Sequence, residues 1–113
     1  MDQPQLAVAD FDNAMELMDN SRELFDEIVS LFILDAPPHM QRIKDGIAQG
    51  NPDWVRHSAH TIKGMVGVFS AERTMQAAAT VEKAAGQDNC SDAVVELEIA
   101  LNELLDTINK HCA

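Results

Sequence analysis

The chain has 113 residues, 46% of them hydrophobic, and a formal net charge of −11. That length carries one domain with a modest core, and that apolar content argues against a disordered chain. The charge argues against a nucleic-acid binder, whose affinity comes from Lys and Arg on phosphate, and disfavours an anionic membrane surface.

No apolar run approaches the roughly 20 residues of a membrane span. The start, Met1-Asp2-Gln3-Pro4-Gln5, has neither a basic stretch nor an apolar one, so a secretory signal is not expected. Cys90 and Cys112 form no C-x-x-C pair and read as incidental thiols, which favours a reducing, cytoplasmic setting.

Helical periodicity runs through nearly the whole chain, Tyr is absent, and no stretch alternates as a strand does. Residues 1–9 read as a lead-in and 10–113 as one bundle domain. A short helix is expected over 10–19, with Phe11, Met15 and Met18 on one side. Asn20-Ser21 breaks it, and Ser21 caps the next. That helix covers 22–35, with Leu24, Phe25, Ile28, Leu31, Phe32 and Leu34 inward, and Pro37-Pro38 ends or bends it. Residues 38–49 resume with Met40, Ile43, Ile47 and Ala48, closed by Gly50.

Asn51-Pro52-Asp53 is a start signal: a capping side chain, then proline at the first helical position. A helix follows over 52–69. Ser70 is expected to cap the next, over 71–85, with Glu72 in its first turn and Gly86 as its stop. Ser91 is expected to cap the last, over 92–111, with the stripe Val94, Leu97, Leu101, Leu104, Leu105 and Ile108. Short loops between amphipathic helices imply antiparallel neighbours. The expected fold is all-α: an antiparallel up-down four-helix bundle with a short extra N-terminal helix.

The helix over 52–69 carries His60-Thr61-Ile62-Lys63-Gly64-Met65-Val66-Gly67. At about 100° per residue, Val55, Ala59, Ile62, Val66 and Phe69 form an inward stripe. His60, Lys63, Gly64 and Gly67 form a second face, turned from the core. His60 is therefore expected to be exposed, with Lys63 on the flank. Two glycines inside a helix cost about 1 kcal/mol each against Ala. Their place beside the imidazole suggests a face where bulk is unwelcome; close approach of a neighbouring helix is the other reading.

Ala59-His60-Thr61-Ile62-Lys63-Gly64 resembles the signature of histidine-containing phosphotransfer (HPt) domains, the four-helix-bundle relays of multistep two-component signalling. The family pattern H-x-[LI]-K-G has a second glycine three residues on, here Gly67. Val81-Glu82 occupies the place of a Leu-Glu-like pair on the next helix. Phe32 to Pro37 is similar to the family's F-x-x-x-x-P segment. The resemblance covers about residues 10–110. One departure is Ser70, where the family often has glycine.

The resemblance implies that His60 accepts a phosphoryl group from a receiver-domain aspartate and passes it to another receiver. Lys63 would offset charge on the phosphoryl oxygens, and Glu82 would orient the imidazole by accepting from Nδ1–H. Arg56, His57, Gly64, Met65 and Gly67 would face the partner. The implied partners are response-regulator receivers and a hybrid sensor histidine kinase, met by a monomer. No cofactor of its own is implied; Mg²⁺ belongs to the receiver. No nucleotide-binding loop is visible in the sequence, so the expectation is a phosphoryl carrier without autokinase activity.

Two rival readings fit the same residues. One is a helical adaptor that binds a signalling protein through the same face without chemistry. The other is a metal or redox carrier using His57 and His60, although His39 and His111 lie on other helices and no third ligand has matching spacing. His39 and His111 are expected to face solvent. Trp54 reads as a packing anchor.

Overall fold

The computed structural model describes residues 6–112. The first five residues of the lead-in and the Cys112 side chain lie outside the described residues. The elements are α1 (Phe11–Leu17), α2 (Arg22–Ala48), α3 (Pro52–Gly67), α4 (Glu72–Ala84) and α5 (Cys90–Cys112). Helices α2 to α5 run alternately up and down. Gly46 of α2 faces Val55 of α3 near one end, and Phe32 faces Phe69 towards the other. The all-α bundle with a short N-terminal helix is the architecture expected from the sequence.

Each turn has a local cause. Asp10 caps α1 through a bond from Asn13 N, and Ser21 caps α2 through one from Leu24 N. Asn51 accepts from Trp54 N at 3.3 Å, and Pro52 stands at the first helical position. Gly50 and Gly86 take positive φ after α2 and α4, where a side chain would be strained. Asp19 and Asn20 also take positive φ and turn the chain between α1 and α2.

Four expectations change. Helix α2 does not end at Pro37-Pro38; it continues through both. The prolines leave the carbonyls of Ile33 and Leu34 without helical donors, and all four residues are exposed, so water can serve those carbonyls. Ser70 is not the cap of α4. It takes φ 52° in the turn, the left-handed role a glycine would fill, and its Oγ accepts from Asn13 Nδ2 at 2.6 Å. Ala71 precedes α4 and makes no side-chain cap. Ser91 lies inside α5, which already begins at Cys90.

The fourth change is the register of α2. Its buried row is Phe25, Val29, Phe32, Ala36, Met40, Ile43 and Gly46. Leu24, Leu31 and Leu34, expected inside, are 41%, 55% and 69% exposed, and Ala48 is exposed as well. The segment is apolar on more than one face. The face that wins carries two phenylalanines, whose rings meet Phe69 at 6.1 and 5.3 Å. Aromatic rings bury more area per residue and gain from edge contacts.

Helix α3 is the central element, packed between α2 and α4. The helix stops at Gly67, short of the expected 69, but the inward stripe of Val55, Ala59, Ile62 and Val66, with Phe69 in the turn just beyond, is buried as expected. The stripe of α5 is buried too, apart from a half-buried Leu105. On α1, Met18 is buried and Ala14 more deeply, while Phe11 and Met15 are half-buried. Thr74 buries its hydroxyl against the Ala100 carbonyl at 3.3 Å. His39, expected to face solvent, is half-buried, whereas His111 is exposed as expected and stacks on Phe11 with ring centres 4.0 Å apart. Trp54 packs at the start of α3 under the Arg42 guanidinium, 5.2 Å from its ring centre. Among the described residues no helix is long and apolar enough to cross a membrane.

Candidate functional site

The inward stripe fixes the rotation of α3, and that rotation presents His60 outward. The His60 side chain is 69% exposed. One turn along, Lys63 is 34% exposed. From α4, Glu82 reaches across the seam and is 19% exposed. Its two oxygens divide between the two α3 side chains: Oε2 stands 3.1 Å from His60 Nδ1 and Oε1 stands 2.7 Å from Lys63 Nζ.

This division determines the chemistry of the ring. Burial pushes the Glu82 carboxyl up, but the hydrogen bonds and charges of Lys63 and then His60 outweigh it, so the group sits below its ordinary value. Glu82 is therefore a carboxylate, which only accepts. The proton of a neutral imidazole must then lie on Nδ1, and Nε2 keeps its lone pair. No protein hydrogen bond engages Nε2 among the described residues. The arrangement is a nucleophilic nitrogen facing solvent, with an ammonium one helical turn away.

The surface around it is bare. A Cβ added at Gly64 would meet nothing within 4 Å, and one at Gly67 would find only Met75 Cε, at 3.9 Å. Neither glycine is required by the chain's own packing, so close approach of a neighbouring helix does not account for them. The requirement that does exist lies at Gly46, which sequence reasoning missed. A Cβ there would stand 2.9 Å from Val55 Cγ2 and 3.1 Å from Asn51 O.

The remaining residues of the face are placed less uniformly. Arg56 is exposed but pairs with Asp53 on its own helix at 2.8 Å. His57 is exposed, and its carbonyl accepts from Thr61 Oγ1 at 3.0 Å. Met65 is half-buried against the core, on the flank. Among the described residues no group of three or more His, Cys, Asp or Glu side chains could hold a metal ion. Cys90 is buried, and burial raises its thiol pKa, as suits an inert packing residue.

The family model of the Hpt domain matches residues 27–111, most of the chain. The chain belongs to that family, and its function is phosphotransfer in phosphorelays, in contact with receiver domains. No curated protein and no solved structure shows a significant match.

Proposed function

We propose that this protein is a phosphorelay intermediate that takes a phosphoryl group on Nε2 of His60 from a receiver aspartyl phosphate and gives it to a second receiver. The observation that carries this reading is the Glu82 carboxylate 3.1 Å from Nδ1 of an outward-facing His60. In the first step the Nε2–P bond forms as the bond from phosphorus to the aspartyl oxygen breaks, and the electron pair leaves with the carboxylate. The ring keeps its Nδ1 proton and becomes a cationic phosphoimidazole, which Glu82 stabilises. In the second step a carboxylate oxygen of the second receiver's aspartate bonds to phosphorus as the Nε2–P bond breaks, and a neutral imidazole departs, because Nδ1 never lost its proton. No proton has to be moved in either direction.

Lys63 is the positioned cation for the phosphoryl oxygens. At rest Glu82 holds it close by. Such transfer needs chiefly positioning and charge stabilisation. The receiver supplies the rest, including its aspartate and Mg²⁺; this chain acts as a carrier and not as a kinase. The bare surface at Gly64 and Gly67 leaves room for the receiver to approach.

The test is incubation with a receiver domain carrying labelled aspartyl phosphate. The wild type should take up acid-labile, alkali-stable phosphate, and His60→Gln should take up none. Uptake by His60→Gln equal to wild type would move the site elsewhere. Binding of receivers without uptake would favour an adaptor that uses the same face.

A further inference from the structure

The segment Leu6–Asp10 lies outside the span that matches the Hpt family, yet it is tied firmly to the turn between α3 and α4. Asp10 N donates to Phe69 O at 2.9 Å, and Arg73 N donates to Ala7 O at 3.0 Å. The Arg73 guanidinium donates to Leu6 O at 3.2 Å and also pairs with Glu103. Val8 and Ala9 use this anchorage to pack on the core. Leu6 does not join them; its side chain remains 38% exposed.

Leu6 instead forms one wall of an open groove of about 330 Å³, whose other walls are Lys63, Glu72, Met75 and Gln76. Lys63 connects the groove to the phosphoryl site, because Glu82 holds its ammonium and His60 together. Gly67, on the same face as His60, opens towards Met75. The groove is thus continuous with the face that a receiver must cover.

We propose that this groove is part of the receiver-docking surface, and that Leu6 and Met75 help select which receiver exchanges phosphoryl groups with His60. The inference rests on the phosphorelay reading. A specific interface buries roughly 800 Å² on each partner, far more than a His, a Lys and two glycines present. A receiver seated on His60 must spread over the flanks of α3, and on the α4 side that flank is this groove. The groove offers apolar walls and, at its rim, Glu72, which has no ion-pair partner among the described residues. It suits an apolar receiver side chain with a basic neighbour. A second copy of this chain, with net charge −11, would bring like charge to that rim.

The experiment uses the full chain with ¹³C-methyl methionine and a panel of purified receiver domains held in the active form with beryllofluoride. With a receiver that exchanges phosphate, the Met75 methyl should shift while buried Met18 and Met40 stay. With receivers that carry labelled aspartyl phosphate in place of beryllofluoride, Leu6→Ser should raise the receiver concentration for half-maximal transfer by about three- to tenfold, as loss of part of a buried leucine contact would. Its melting temperature and the labelling of His60 by phosphoramidate, which needs no docking, should not change. Gln76→Arg repeats the test without touching the anchored segment. An unmoved Met75 methyl, or wild-type half-saturation in both variants, overturns the proposal while leaving the phosphorelay reading intact. A wild-type chain that takes phosphate from no receiver overturns both.

Discussion

The carboxylate of Glu82 stands 3.1 Å from Nδ1 of His60, across the seam between α3 and α4. One helix supplies the imidazole and the next supplies the carboxylate beside its Nδ1. The same carboxylate holds Lys63, so imidazole and ammonium share one anchor.

Glu82→Gln retains an acceptor for Nδ1–H but removes the charge that favours the cationic phosphoimidazole. Transfer from a receiver should slow by about three- to tenfold, the effect of losing roughly 1 kcal/mol of charge-assisted bonding. Glu82→Ala should slow it further and release the tautomer. Ring ¹⁵N shifts of His60 should show Nδ1–H in wild type and Gln, and a mixture in Ala. An unchanged ring in Ala would remove Glu82 from the mechanism.

Glu82 also links stability to pH. Its pKa in the fold lies below its ordinary value, so it stabilises the fold above that ordinary value. The contribution is lost as pH falls through the depressed value. Chemical denaturation of wild type and Glu82→Gln should therefore differ most above the ordinary carboxylate range and draw together as the pH is lowered below it. A difference that stays constant across the range would contradict the assignment.

Gly64 is exposed, on a regular helix, with open space where a Cβ would sit. Gly64→Ala should raise stability by about 0.5–1 kcal/mol, because alanine has less backbone freedom to lose. Gly64→Gln should keep the fold and accept phosphate from phosphoramidate as wild type does, but transfer from receivers should fall. Receiver transfer at the wild-type rate would show that the face need not be bare.

Gly46 is the opposite case. A methyl group there meets the stiff Val55 side chain and the Asn51 carbonyl, where α2 and α3 approach closely. Gly46→Ala should cost about 1–3 kcal/mol, with a lowered denaturation midpoint and an unchanged slope. Wild-type stability would mean that the helices separate easily.

The rotation of α3 was legible in the sequence because its apolar positions define one narrow stripe. From that stripe followed the exposure of His60 and the flank position of Lys63. Helix α2 was harder to read. Its first half has leucines and phenylalanines on several faces, and local periodicity does not rank them. The opposing Phe69 does, by giving Phe25 and Phe32 an aromatic partner. Ser70 misled for a related reason. Serine commonly caps helices, but here the chain must reverse at that residue, and Asn13 from α1 supports the strained position through its side chain.

The sequence alone determined the helical class, the bundle, and the face on which His60, Lys63, Gly64 and Gly67 gather, because helical periodicity is a local property carried by each segment. Only the tertiary structure decided that Glu82 bridges His60 and Lys63, that Gly46 and not Gly64 serves close packing, and that Leu6 reaches the flank of Lys63. Each of these joins residues far apart in the chain, and their distances depend on how the helices pack and which face each one buries.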